Sequence, residues 1–458
     1  MKYLIIAVSL LFLPLVSDAQ TGICFLDGKT YTTLAQAISC AGSSGTIEVT
    51  PSAKVVSVPS STTVPAGVTL QIDRGAILSV GTALTLTISG PLVDGLYQMF
   101  EGAGTVSFTL PGNQAVSRPE WFGGIADGTT GSGTVTGTDN LAAFNAALAA
   151  LPEMVFFNQG TQVLQNGSLA RTGKLLLSPG RYVVSDTLNW SPWVSYECPS
   201  YNGCIIVLKN GVASSGVEKF VINLQSVLTN NTPSPNTTYG GQFHNITVNC
   251  QGGKYLGTNS FSSGVLINGA QGTSLGNIFI GDCGQRGLWI ANNAGNISSV
   301  NGENIIEVLG VVTGPGVQID AGLCNIEVIR SEDVNSTGTH KDADGDPNPA
   351  ILIGSTSSNG SVNVNIDVLG SEKSFLPLKI WGGDAISIQN IGVGAPTAGL
   401  TAVVISHGAK SITIGPMFTY AASPLFTYFI ADRTSTPTTF VSGNFAPYPS
   451  ILGYKTAK

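Results

Sequence analysis

The second half of the chain repeats one pattern: an apolar residue, any residue, then isoleucine. It reads Val265-Leu266-Ile267, Leu288-Trp289-Ile290, Val317-Gln318-Ile319, Ile351-Leu352-Ile353, Leu378-Lys379-Ile380 and Val403-Val404-Ile405. A second set interleaves with it: Ile246-Thr247-Val248, Ile278-Phe279-Ile280, Ile306-Glu307-Val308, Ile326-Glu327-Val328, Ile366-Asp367-Val368, Ile386-Ser387-Ile388 and Ile412-Thr413-Ile414. Successive side chains of a strand alternate faces, so the outer residues of each triplet share one face and the middle residue takes the other. Two short strands per slow repeat predict an all-β solenoid, a parallel β-helix whose turns bury their apolar side chains against one another. Such a coil presents long outward ladders of side chains, which suit a long polymer.

Upstream, the pattern divides the chain further. Val64 to Leu70 and Gly75 to Leu78 alternate apolar and small residues, so 20–117 reads as a β-rich N-terminal section. Leu34 to Ile38 reads as a short helix capping its start. Leu141, Phe144, Leu148 and Leu151 share one helical face, with Asp139 as candidate N-cap and Pro152 as a stop. The solenoid is expected over 118–418, with a C-terminal cap over 419–458.

Composition agrees with stacked turns. Of 458 residues, 57 are Gly and only 10% are charged, and the net charge is −7 with no basic cluster. Nucleic acid is thereby excluded as an expected partner. Lys2, the apolar run Leu4 to Val16 and the small residues around Ser17-Asp18-Ala19 read as a signal peptide over 1–19. That run is too short to span a bilayer, so no membrane association is expected after cleavage. Seven cysteines follow. Cys24/Cys40 and Cys198/Cys204 are closely spaced candidates for disulfides. Cys250, Cys283 and Cys324 fall near three strands and leave their pairing open. Trp190, Trp193, Tyr196 and Tyr201 crowd the Cys198/Cys204 segment, as an aromatic rim or a small core.

The junction Arg118-Pro119-Glu120-Trp121-Phe122-Gly123, the helix Leu141 to Pro152 and the run Leu177-Ser178-Pro179-Gly180-Arg181-Tyr182-Val183-Val184 together resemble the pectate lyase superfamily. This group includes polygalacturonase-related and tailspike-type proteins. The resemblance covers 117–190 and implies a right-handed parallel β-helix. It carries over no catalytic residue. The Asn-Thr-Asp, Asp-Asp and Gly-His-Gly motifs of polygalacturonases are absent, Ser406-His407-Gly408 being the nearest. Leu288-Trp289-Ile290-Ala291 lacks the Asp and His of the calcium pectate lyase motif. The fold hosts hydrolases, lyases and binding proteins alike.

Candidate chemistry therefore comes from the register. The outward column of the second triplet set is Thr247, Phe279, Glu307, Glu327, Asp367, Ser387, Thr413. If each triplet stacks on the next, Glu307, Glu327 and Asp367 occupy consecutive turns about 5 Å apart. Carboxyls that close share a proton or a cation, or form a solvated acidic edge. A pair near 5–5.5 Å suits retaining glycoside hydrolysis, and Glu327→Gln is expected to abolish turnover. The outward column of the first set is Leu266, Trp289, Gln318, Leu352, Lys379, Val404, with Trp381 two residues beyond Lys379. Trp289 and Trp381 would stack on sugar rings; Lys379, Arg286 and Arg330 would meet a uronate carboxylate. A long loop, Ser331 to Pro349, carries Asp342, Asp344 and Asp346, a candidate calcium site that lacks EF-hand spacing.

The leading functional expectation is a secreted glycoside hydrolase acting on an extracellular polysaccharide, with no required cofactor or with calcium. A polysaccharide lyase and a non-catalytic glycan-binding protein remain open beside it.

Overall fold

The computed structural model describes most of residues 22–433 and the strands Thr439–Val441 and Lys455–Thr456. Outside the described residues lie 110–114, 159–160, 165–170, 226–240, 292–297, 355–362, 395–399, 420–425, 434–438, 442–454 and six single positions. The segment read as a signal peptide and most of 419–458 are also outside them. Among the described residues, no helix is long and apolar enough to cross a membrane.

The N-terminal section is already coiled. Strands Ile23–Leu26, Thr46–Val49, Thr69–Ile72 and Leu92–Val93 pair in parallel. Val55–Val58, Ile77–Val80 and Phe100–Glu101 form a second parallel stack, and Thr62–Val64, Thr85–Ile88 and Thr105–Phe108 a third. Each turn thus gives one strand to each of three sheets. Thr-Ile-Glu-Val and Thr-Leu-Gln-Ile alternate partly exposed with buried, so Ile47, Val49, Leu70 and Ile72 face the core. Helix α1, Leu34–Ala41, packs Leu34, Ala37 and Ala41 into this core. A reciprocal capping box starts it, Thr33 with Gln36.

Helix α2, Leu141–Ala150, joins this core to a larger one. Asn140 takes the N-cap position, one residue after the expected Asp139, whose carboxylate accepts the Leu141 N–H at 3.1 Å. The two halves of the junction motif meet here: Glu120 accepts the Tyr182 hydroxyl and the Ser178 N–H.

The larger core runs from Phe144 to Ile430 between two long sheets. The first triplet set builds a ten-stranded parallel sheet in the expected register. Val265, Leu288, Val317, Ile351, Leu378 and Val403 align, as do Ile267, Ile290, Ile319, Ile353, Ile380 and Ile405. The second set lies in a fifteen-stranded sheet whose long strands bend into two legs. Left-handed residues mark the bend in three successive turns: Asn245 at φ 59°, Asn277 at φ 53° and Asn304 at φ 61°. Asn is among the residues that tolerate this conformation, and the Asn277 amide bonds Asn245 across the turns at 3.0 Å. The protein is thus an all-β solenoid of long parallel sheets.

Three disulfides staple it: Cys24–Cys40, Cys198–Cys204 and, between adjacent turns, Cys250–Cys283. Cys324 is buried and free, and burial pushes its thiol pKa up to about 12, so it stays protonated. The crowded aromatics resolve into core: Trp190 stacks on Tyr196 at 3.9 Å, both buried, while Tyr201 stays exposed. Cys250–Cys283 spans 33 residues of sequence. Replacing both by alanine is expected to lower stability by about 3 kcal/mol, read as a fall in the thermal midpoint.

Candidate functional site

The second leg of the fifteen-stranded sheet carries an outward polar floor. Its register stacks Thr247, Phe279, Glu307, Arg330, Gly370 and Gly392 on successive turns. Two residues further along each strand, Gly281, Leu309 and Glu332 align. Glu372 continues that column, because Arg330 pairs Gly370 two residues earlier on the same strands. The Arg330 guanidinium bonds Glu332 and lies 3.7 Å from Glu372. Tyr201, on the loop closed by Cys198–Cys204, donates to Glu307 at 3.2 Å. Burial pushes the Glu332 carboxyl above its ordinary pKa, Arg330 pulls it down, and Glu372 and Glu307 push it up again. On the other side of the floor, Lys254 pairs Asp333 at 3.2 Å and Tyr255 donates to the same carboxylate.

The expected column of Glu307, Glu327 and Asp367 is corrected by this register. Glu307 pairs Arg330, not Glu327. Strand Ser299–Val311 holds one extra residue at its bend: Gly302 pairs Ile326 while Ile305 pairs Val328. Two residues therefore oppose Glu327 alone, a bulge. Asn304 occupies it, and Glu327 accepts the Asn304 N–H at 2.7 Å. The Ile326-Glu327-Val328 triplet thus sits before the bend and Ile306-Glu307-Val308 after it. Glu327 and Asp367 do occupy neighbouring turns, since Ile326 pairs Ile366 and Val328 pairs Val368. The structure brings these two together on the first leg and leaves Glu307 on the second.

On the ten-stranded sheet the outward column aligns as expected, but it is largely covered. The Lys379 ammonium is fully buried and bonds Asp342, Asp344 and Asp346 at 2.5, 2.9 and 2.9 Å. His407 reaches Asp344 at 2.9 Å and Arg433 reaches Asp346 at 2.7 Å. Trp381, 7% exposed, stacks on His407 at 4.4 Å and lies under the Lys379 charge. Gln318, 5% exposed, accepts from Arg286 at 2.8 Å and donates to Asp320 at 2.7 Å. Trp289 donates to Asp320 at 2.8 Å and carries the Arg286 guanidinium 4.6 Å above its ring. Arg286 is in turn paired with Glu218. Lys379 and Trp381 are therefore internal, not substrate-facing, because the acidic loop and His407 fold over them, and Gln318 is closed in by Arg286 and Asp320. Only Arg330 of the expected binding set stands on the polar floor.

The same geometry tests the calcium reading. Asp342, Asp344 and Asp346 do converge, with ligand atoms within 4.8 Å of one another. The Lys379 ammonium occupies their centre, so in this arrangement the residues do not fit a calcium ion. Burial raises Asp344, but bonds from Lys379 and His407 outweigh it and hold the carboxyl below its usual range. Burial likewise disfavours the Lys379 charge, and the three aspartates more than restore it.

No protein-family model matches the chain, and no curated protein does. Two solved structures are similar to it at 11% identity. One is ORF18 of Geobacillus virus E2, at a TM-score of 0.35 over 72% of this chain. The chain spans 62% of that protein's length. The other is the Dettilon tailspike protein gp208, at a TM-score of 0.38 over 75% of this chain and 69% of that one.

Proposed function

We propose that the chain is an exported protein that hydrolyses a glycosidic bond of an extracellular polysaccharide on the second-leg floor. The single observation that carries this reading is the carboxyl pair Glu332 and Glu372. They stand on neighbouring strands of an outward face and share one guanidinium. Adjacent strands lie about 4.8 Å apart, close to the 5–5.5 Å that retaining hydrolysis uses. Glu332, half-buried and held above its ordinary pKa, protonates the leaving glycosidic oxygen. Glu372, 3.7 Å from the Arg330 guanidinium, attacks the anomeric carbon as the bond to that oxygen breaks. Water then cleaves the glycosyl ester, giving its proton to Glu332. Arg330 orients both carboxyls, and Phe279 offers an apolar surface in the same floor. Three disulfides support export to an oxidising compartment. The parallel sheets support a right-handed β-helix, with the floor running across its turns.

The test is incubation of the mature protein with neutral and acidic polysaccharides, with and without a calcium chelator. New reducing ends with retained anomeric configuration, unchanged by the chelator, are expected. An unsaturated, ultraviolet-absorbing product would instead establish a lyase. Retention on glycan without any new reducing end would establish a binding protein.

A further inference from the structure

Tyr255 is an exposed aromatic that the fold holds rigidly beside the carboxyl pair. Its side chain belongs to a residue 51% exposed, on the short loop after Cys250. Exposed tyrosines on loops are ordinarily free to rotate. This one is fixed at both ends. Its hydroxyl donates to Asp333, which also pairs Lys254. Its backbone is fixed by Asp282, a carboxylate 2% exposed. Asp282 accepts the consecutive N–H groups of Lys254, Tyr255 and Leu256 at 2.9, 2.9 and 3.0 Å. The Cys250–Cys283 disulfide clamps the loop's base beside Asp282.

The ring has a seat. It lies on Gly310, whose φ is +73°, and a Cβ there would come 2.3 Å from the ring edge. Gly310 follows Leu309, which pairs Glu332 on the next turn. The ring is thus one turn from the carboxyl pair. Burial, then the charges of Asp333, Asp282 and Glu332, push the tyrosine hydroxyl pKa up, which keeps it a donor at every ordinary pH. A buried carboxylate, a disulfide and a bare glycine all serve to hold one ring against the coil with the rest of it open to solvent.

We propose that Tyr255 is a stacking platform for a sugar ring, the binding subsite next to Glu332 and Glu372. The C–H face of a pyranose is apolar and flat enough to cover an aromatic face, and a pre-ordered ring loses little entropy on binding. Lys254 and Asp333 at the ring's edge reach the sugar hydroxyls. The surrounding carboxylates, Glu307, Glu332, Asp333 and Glu372, outnumber the cations Arg330, Lys254 and Lys373. Arg330 and Lys254 are already paired. The subsite therefore selects a neutral or amino sugar over a uronate. Its position deepens the hydrolase reading and rests on it; its binding is measurable without turnover.

The experiment is affinity electrophoresis of the full chain in native gels containing galactomannan, xylan, dextran, chitosan or polygalacturonate. Wild-type protein is expected to be retarded by at least one neutral or amino-sugar polymer and not by polygalacturonate. Tyr255→Ala should weaken that retardation about 30-fold, the loss expected of a tyrosine anchor. Tyr255→Phe, which keeps the ring and drops the Asp333 bond, should retain most of it. Equal retardation of wild type and Tyr255→Ala overturns the platform, as does retardation by polygalacturonate alone or by none of the polymers. Binding lost in Tyr255→Ala with turnover intact in Glu332→Gln leaves the platform standing and removes only the hydrolase reading.

Discussion

Exchange of Glu332 for glutamine is expected to lower kcat by about 10²–10⁴-fold, the usual worth of a positioned general acid. The thermal midpoint should hardly move, because glutamine keeps the shape and still accepts a bond from Arg330. The leaving oxygen of a glycoside is a poor leaving group until it is protonated. Glu332 is the group on the floor whose environment keeps a proton available, through burial and the nearby charges of Glu372 and Glu307. The sign follows for pH. A raised carboxyl pKa leaves the acid form populated to higher pH, and activity declines as pH rises through that value. Arg330 acts against the shift, so Arg330→Gln should move this alkaline limb upward even as it weakens binding; a limb that stays put would remove Arg330 from contact with the acid. Glu327→Gln and Asp367→Asn form the control. They alter the carboxyl pair on the first leg and are expected to leave turnover within about threefold, below the effect of any group acting on the reacting atoms.

Exchange of Lys379 for methionine is expected to cost about 3–5 kcal/mol of stability, the penalty for removing one partner from a buried ion cluster. The ammonium is fully buried, and three carboxylates converge on it. Without it they repel one another, and the loop over the ten-stranded sheet is expected to lift away. Hydrogen exchange at Asp342 to Asp346 reads the lifting directly, and a thermal melt reads the loss. Changing Lys379 and all three aspartates together to uncharged residues should restore most of the stability, since no buried charge is then left unpaired, the Asp346 partner Arg433 being exposed. The pH window follows from two shifts of opposite kind. Asp344 is depressed, so its contribution is present above the ordinary carboxylate range and lost only as pH falls through the lowered value. Lys379 is raised, so its contribution is complete below the ordinary lysine range and is lost only as pH rises through the higher value. The strap should hold from mildly acidic to strongly basic conditions and loosen in strong acid.

The architecture was largely legible because the first triplet set obeys one rule without interruption. An apolar pair flanking each outward residue fixes the face, and the isoleucines then align turn upon turn. The second set misled for a physical reason. Its triplets look alike, yet some lie before the bend and some after it, and nothing in Ile306-Glu307-Val308 or Ile326-Glu327-Val328 says which. The signal was nearby: Asn304 is separated from its triplet by one extra residue, Ile305, whereas Asn245, Asn277 and Asn325 directly precede theirs. Because the two triplets stand on opposite sides of the bend, Glu307 lies opposite Arg330, three residues past Glu327. The N-terminal coil was missed because Thr46–Val49, Thr69–Ile72 and Thr85–Ile88 are short and interleave three sheets on a fast repeat. The acidic loop was recognised as special from its length and charge. Its counter-ion was a lysine already assigned to substrate, and sequence spacing alone could not bring Lys379 and Asp342 together.

The floor at Glu332 depends on where a glycan lies. A crystal structure of the Glu332→Gln protein with a bound oligosaccharide tests this most directly. The account predicts sugar rings over Arg330 and Glu372, between Tyr201 and Tyr255, with a glycosidic oxygen within hydrogen-bonding distance of residue 332. Sugar bound instead over Glu327 and Asp367, or over the ten-stranded sheet at Trp289, would contradict it.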